Sequence, residues 1–364
     1  MGYGKSNTKF NTQKSNGFGN TITIPLKRID SLLDNMVDGR EYESIIKIVT
    51  QPNIALNINI VEELKRAIGD IAKVRKRPLI CYIANITNAA LPGSRSIEQI
   101  DDLPFSEMVS MAPPEAKEID VLIVTPGGSA EQVARFVNHL RPRFDKVSFI
   151  IPSMAMSAGT IWAMSGDEII MDSRATIGPI DPQVRGVDGN FVSAQSVLTL
   201  IKEIQARGEE LIAKGQSPLW TDFQILNRID AKEIGSAVNS SDYSIELVTD
   251  YLYSYKFKDW DVHSDGRKVK DEEKRERAQT IAKNLCDHGQ WKTHSRGITR
   301  EVAWDVCKIK ITHPENIDGL ARTIRRFWAF LYWTFENANF YKMFISENYT
   351  IFKASQIRNT NQNG

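Results

Sequence analysis

The sequence predicts an α/β domain built on a mostly parallel sheet, and three observations carry that expectation. Continuous apolar, β-branched runs at 79–86 (LICYIANI), 119–125 (IDVLIVT) and 146–151 (KVSFII) read as strands buried on both faces. Between the second and third runs, the turn Pro126-Gly127-Gly128 leads into an amphipathic segment, 129–140, with Val133, Phe136, Val137 and Leu140 on one side. Strand, glycine turn, helix and strand make a crossover unit, for which a right-handed connection is expected. The 364 residues are enough for one large domain with extensions or for two average ones.

Taken in order, the first 21 residues are rich in Gly, Asn, Ser and Lys and lack the apolar core of a signal peptide, so 1–21 is expected to be flexible. MGYGKS fits the loose myristoylation pattern, although one acyl chain gives only marginal anchoring. Residues 22–36 join a short β-like run to the amphipathic LKRIDSLLDNM, and 58–74 is a second amphipathic stretch; both are candidate outer helices. After Pro78 comes the first core strand. The connection 88–117 carries Pro92, Gly93, Pro104, Pro113 and Pro114 and is expected to hold a short helix near 96–101. A connection of this length in a folded domain suggests a lid or binding loop, here overhanging the glycine turn.

Ser157 follows the third strand, at the start of a helical pattern over 157–164, and 168–171 (EIIM) is a further short strand. Residues 175–182 are rich in turn formers. Helices are expected over 197–213, 222–239, 243–255, 272–285 and 299–309, with 215–218 as a break and 256–277 as a charged stretch. The segment 323–352 is crowded with aromatic side chains, but Glu336, Asn337, Asn339 and Lys342 interrupt the apolar run of about 20 residues that a membrane span needs. It is expected as an aromatic helix docked on the main domain or on a second subunit. The chain thus divides into a flexible segment 1–21, a domain 22–322 and a C-terminal aromatic helical extension and tail 323–364.

Composition narrows the function. Lys plus Arg number 46 and Asp plus Glu 45, so the global charge footprint of a dedicated nucleic-acid binder is missing. The basic runs 73–77 (KVRKR) and 322–326 (RTIRR) have no interleaved aromatics and are expected as solvated edges. Cys81, Cys286 and Cys307 are an odd set without CxxC spacing, expected as reduced packing residues in a cytoplasmic protein. The five histidines show no metal-ligand spacing, and no GxGxxG follows a strand, so neither a metal nor a cofactor is expected.

Acyl transfer needs a nucleophile, a proton acceptor and donors aimed at the developing oxyanion. Ser157 lies at a strand-to-helix turn among the small residues Ala155, Ala158 and Gly159, where a substrate backbone can approach the hydroxyl. The two glycines after Pro126 let the backbone turn an amide outward, so the N–H groups of Gly128 and Ala158 are the candidate oxyanion donors. The acceptor is open among Lys214 beside a glycine break, which leads, Lys202 in LIKEIQARGEE, and His294 in WKTHSRG. Asp181 could orient a basic group.

The order TPGGS, SMAMSAGT some 30 residues on, then TIGPIDPQ resembles the ClpP/crotonase superfamily and its signal-peptide-peptidase-A-like serine peptidases. With Arg77-Pro78, GQSPLW at 215–220 and His294-Ser295-Arg296, the chain from about 60 to 352 resembles the serine dehydrogenase proteinase family more closely. That resemblance implies stacked ββα units with outer helices, often in oligomers, with Ser157 as nucleophile and Gly128 and Ala158 as the oxyanion hole. In the ClpP-type pattern a histidine follows the nucleophile in an SRxxIHQP-like segment; here 173–179 reads SRATIGP, with Gly178 at that place. A Ser–Lys dyad is therefore favoured over a ClpP-type triad. The expected function is a serine hydrolase acting on a peptide or protein substrate, as a homo-oligomer without membrane contact. The alternatives are a non-catalytic ClpP-like binding or scaffold protein and a crotonase-like acyl-thioester enzyme.

Overall fold

The computed structural model describes residues 27–88, 90–185, 191–229 and 231–354. The segment 1–21, the start of 22–36 and the tail from 355 lie outside the described residues. A short parallel pair, β1 (Lys27–Ile29) with β2 (Ile54–Leu56), flanks helix α1 (Glu41–Val49). The helix expected within 22–36 is reduced to one 3-10 turn, Leu33–Asn35. Side chains there divert the backbone donors: Ser31 Oγ accepts from Asp34 N–H and Glu63 accepts from Leu33 N–H.

Helix α2 (Ile60–Arg75) starts where Asn59 Oδ1 accepts from Val61 and Glu62 N–H, and it buries Leu64, Ala67, Ile68 and Ile71 at helical spacing. Strand β3 (Leu79–Ala84) follows Pro78. The connection after it holds a longer helix than expected, α3 (Asp102–Ser110), because Pro104 sits in the first turn, where a missing N–H costs nothing. Strand β4 (Glu118–Val124), helix α4 (Ala130–Leu140) and strand β5 (Lys146–Ile151) form the expected crossover, with Val133, Phe136, Val137 and Leu140 all buried. Next come β6 (Met154–Ala155), α5 (Ala158–Met164), β7 (Glu168–Met171) and β8 (Thr176–Ile177).

Beyond these, β9 (Gln183–Arg185) pairs with β10 (Phe191–Ser193), and the helices are α6 (Ala194–Ala213), α7 (Trp220–Leu226), α8 (Ala231–Tyr251), α9 (Asp271–Cys286), α10 (His288–Trp291) and α11 (Arg300–Asp305). The two helices expected over 222–255 divide differently: α8 runs through residues 240–242, where buried Ser241 accepts a hydrogen bond from Gln195 of α6, and ends in a π-helical turn, Leu252–Lys256. Helix α12 (Leu320–Asn337) docks on the domain through Leu320, Ile324, Phe327, Phe330, Leu331 and Phe335. The rest of the aromatic segment is no helix. It forms a hairpin, β11 (Phe340–Ser346) and β12 (Thr350–Ala354), whose aromatic residues suit a pleated sheet as well as a helix.

The main sheet has the order β12-β11-β3-β4-β5-β7, parallel from β3 to β7 and antiparallel at the hairpin. Alternation along the strands fills both faces: Ile80, Tyr82, Val121, Ile123 and Phe149 join the core shared with α3, α4 and α5, whereas Leu79, Cys81, Ile83, Leu122, Val124 and Ile150 join the core shared with α2 and α12. A smaller ladder stands at the strand ends, in which β6 pairs with β8, Thr125 with Ala155, Ile97 with Gly128, and Ile177 with Ile298. All three cysteines are free and buried, and among the described residues no helix is long and apolar enough to cross a membrane.

One expectation about charge is corrected. Arg75, within the run 73–77, is not a solvated edge: its side chain is 7% exposed and reaches Asp120 and Glu168, each at 2.7 Å. Asp120, Ser148 and Glu168 are register partners across β4, β5 and β7, so one guanidinium closes a polar row over three strands. Burial alone would lower the arginine's pKa, but Asp120 and Glu168 outweigh it and hold it protonated. In the run 322–326, Arg322 and Arg326 pair with Asp38 and Arg325 with Asp172 and Glu315. Arg75→Met would leave the fully buried Asp120 with only the more distant Arg77, and a loss of about 3–5 kcal/mol is expected in the denaturant midpoint series.

Candidate active site

The site is assembled where the end of β4 meets the return of the chain after β5. Thr125 N–H donates to the Met154 carbonyl at 3.1 Å and Met156 N–H to the Thr125 carbonyl at 3.0 Å, so residues 154–156 are fixed beside the strand end. Ser157 then takes φ 51° and ψ −118° as the N-cap of α5. A non-glycine residue held there costs on the order of 1–3 kcal/mol and persists only when its surroundings enforce it. Thr160 supplies part of that enforcement: its hydroxyl accepts from Gly178 N–H at 2.9 Å and lies 2.7 Å from the Ala155 carbonyl. Sequence reading passed over this threonine, although it stands in the same SAGT run.

The glycine turn lies directly against Ser157. At Gly127, φ is +103° and a Cβ would come within 2.7 Å of both Ser157 Cβ and the Met156 carbonyl oxygen. At Gly128, φ is +146° and a Cβ would fall 2.4 Å from the Ile97 backbone. Ile97 grips both sides of that turn, its N–H donating to the Gly127 carbonyl at 2.7 Å and its carbonyl accepting from Ser129 N–H at 2.9 Å. Because a trans peptide is planar, with C=O and N–H opposed, the Gly128 N–H is aimed away from Ile97. Among the described residues, neither Gly128 N–H nor Ala158 N–H has a hydrogen-bond acceptor. Two unpaired donors flanking a half-buried serine are what an oxyanion needs.

The candidate acceptors are placed very differently. Lys214, the leading one, caps the end of α6 with its side chain 59% exposed and ion-paired to Glu210, so in this structure it is a solvated helix-end lysine and does not reach Ser157. Lys202 is exposed on the same helix. Ser157 Oγ has no hydrogen-bond partner among the described residues. His294 is different. Its Nδ1 lies 2.9 Å from Oδ1 of the fully buried Asp181, and its side chain is only 17% exposed.

Across the same carboxylate, His288 Nδ1 stands 3.4 Å from Oδ2. Sequence reading missed His288; its signal was a second histidine six residues before His294, at a helix end. Ile298, four residues after His294, is joined to Ile177 of β8 by mutual hydrogen bonds of 3.0 and 2.8 Å, and β8 pairs with β6 just before Ser157. At Gly178 itself a Cβ would sit 2.7 Å from Met156 Cε and 3.1 Å from its Sδ, the flexible end of that side chain.

Residues 41–211 match the family model described as ClpP-like SDH-type serine proteinase, a segment that contains Gly127, Gly128, Ser157 and Ala158. The uncharacterized protein MJ1495 of Methanocaldococcus jannaschii is 27% identical over 223 residues, covering 52% of this chain and 76% of the relative. A second protein of that organism, MJ0137, is 29% identical over 207 residues, covering 57% and 58%, so the chain spans less than two thirds of that relative. Among solved structures, a mutant of the membrane-bound stomatin-specific protease 1510-N is 16% identical, with 68% of this chain and 84% of that one covered at a TM-score of 0.37. ClpP1 from Listeria monocytogenes is 16% identical, covering 46% and 90% at a TM-score of 0.24. At family level, the model match supports a serine peptidase.

The packing of Gly127 yields a prediction. Gly127→Ala is expected to lower stability by roughly 1–3 kcal/mol in thermal unfolding, through a strained φ and the collision with Ser157, and to displace the Ser157 turn in a crystal structure.

Proposed function

We propose that this chain, whose residues 41–211 match a ClpP-like serine proteinase family, cleaves peptide bonds through an acyl-enzyme on Ser157. The observation that carries the reading is the strained Ser157 turn set against two amides without acceptors among the described residues. Ser157 Oγ attacks the scissile carbonyl carbon, and the carbonyl oxygen takes up the electron pair as an oxyanion between Gly128 N–H and Ala158 N–H. Collapse expels the amine, which leaves with a proton, and water then hydrolyses the ester. The substrate is a peptide or protein.

His294 is the proton acceptor in this reading. Its Nδ1 is engaged by Asp181, which leaves Nε2 for the serine hydroxyl or for a water that links them, and the buried carboxylate stabilises the imidazolium that forms. Lys202 and Lys214 lie on the exposed side of α6 and are held as the competing acceptors. The same reading includes a homo-oligomer. Trp220 is 72% exposed and Phe223 51%, both on the short helix α7, and this apolar surface suits a second copy.

A fluorophosphonate probe tests the centre. Intact protein is expected to label at Ser157, Ser157→Ala to remain unlabelled, and peptide hydrolysis by that variant to fall by about 10³-fold or more. His294→Ala is expected to slow labelling by about 10²–10⁴-fold, with Lys202→Ala and Lys214→Ala close to the parent. No labelling of the intact protein would sink the peptidase reading in favour of a non-catalytic module. Loss in Lys202→Ala with His294→Ala unaffected would move the acceptor to α6. For assembly, Trp220→Glu combined with Phe223→Glu is expected to sediment as a smaller species than the parent; an unchanged coefficient rejects that surface.

A further inference from the structure

The C-terminal hairpin lies beyond the segment that matches the family, yet it reaches the oxyanion turn through backbone groups. Lys342 on β11 is 1% exposed. Its Nζ donates to the Ser96 carbonyl at 2.7 Å and to Asp101 Oδ2 at 2.7 Å. The Ser96 carbonyl and the Ile97 N–H belong to one planar peptide, and that N–H donates to the Gly127 carbonyl at 2.7 Å. The Gly127 carbonyl and the Gly128 N–H belong to the next peptide in the relay. An ammonium thus stands at the head of a series of two peptide groups whose last donor is Gly128 N–H.

We infer that Lys342 is a positioning residue for the oxyanion hole, orienting and polarising the Gly128 amide through the Ser96–Ile97 and Gly127–Gly128 peptides. This inference rests on the proposed role of Gly128. Each peptide in the series accepts at its carbonyl and donates at its amide, so each is polarised in the same sense, and such chains strengthen cooperatively. Orientation follows from the same contacts. With the Ser96 carbonyl fixed by Lys342, the Ile97 N–H can meet only one carbonyl direction, and the Gly127–Gly128 plane cannot flip without breaking that bond.

The neighbouring amine supplies an internal control. Lys353 on β12 donates to Asp101 Oδ1 at 2.7 Å and to the Ile100 carbonyl at 2.8 Å, but not to Ser96. Asp101 also accepts from Tyr82 O–H at 2.9 Å and from Glu98 N–H at 3.1 Å, so losing either lysine leaves the carboxylate partnered. A merely structural ion cluster predicts the same effect from either lysine. The relay predicts an effect from Lys342 alone.

The test is the saturation kinetics of fluorophosphonate labelling in the full chain, with Lys342→Met and Lys353→Met compared at matched thermal stability. Lys342→Met is expected to lower the maximal labelling rate by about 10-fold, short of the 10²–10³-fold that follows removal of a whole oxyanion donor, with the half-saturating probe concentration within about 2-fold. Lys353→Met is expected to stay within about 3-fold in both. Equal losses in the two variants, or a folded Lys342→Met that labels within about 3-fold of the parent, overturn the inference. Lys342→Gln serves the same comparison if the methionine variant fails to fold. Hydrogen exchange separates this outcome from failure of the peptidase reading. If the parent does not label at all, faster exchange of the Ile97 amide in Lys342→Met but not in Lys353→Met still supports the relay, and unchanged exchange overturns it.

Discussion

The hydrogen bond from Ile97 N–H to the Gly127 carbonyl is the constraint on which the rest of the site depends. It decides which way the Gly127–Gly128 peptide faces, and turns the Gly128 N–H away from Ile97. That bond needs β4 to end at a defined height and the β3–β4 connection to return across it. The first condition is met by the register of the parallel strands and the polar row closed by Arg75. The second is met by a loop that is docked and not free. Arg95 donates to the carbonyls of Asn85 and Leu91, while Asn85 in turn donates to those of Phe335 and Phe340. The connection expected as a lid is therefore tied down along the stretch that touches the turn.

Ser157 shows the other side of that arrangement. A residue at φ 51° is maintained against its own preference by the strand end below it, the Thr160 hydroxyl beside it and the glycine turn against it. Next to that turn, the flexible end of Met156 packs against Gly178. In the proposed reaction, with glycine at 178, the proton acceptor comes from another segment of chain. The Asp181–His294 pair joins a buried carboxylate to a half-buried histidine four residues from the Ile298 bridge to β8, whereas the two lysines considered for the role are exposed on a long outer helix or at its end.

Much of the sheet was legible in the sequence because strands buried on both faces read as unbroken apolar runs, and α4 because its apolar residues repeat with a helical period. The order of PGG, Ser157 and the following turn pointed to Gly128 and Ala158 for a local reason: each depends on backbone geometry that small residues permit. What stayed illegible depends on partners far along the chain. His294 and Asp181 are 113 residues apart, and nothing in their immediate sequences pairs them. Aromatic residues between 340 and 352 fit a helix or a strand, and only pairing with β3 settles which. Lys214 looked able to turn inward beside a glycine, yet a helix end with Glu210 one turn back offers it a solvated partner first.

Buried ion clusters rarely justify themselves by stability, since apolar residues of similar volume often serve as well or better. Lys342 is a sharp instance, because burial drives its pKa down, and Asp101, with a smaller contribution from Glu98, opposes the loss of its charge. An apolar residue at this position would relieve that cost. It could not donate to the Ser96 carbonyl, and a peptide group left without that donor has no fixed facing to pass on. Retaining a charge in so unfavourable a place is explained when what it orients matters more than what it stabilises, and the orientation in question ends at the amide beside Ser157.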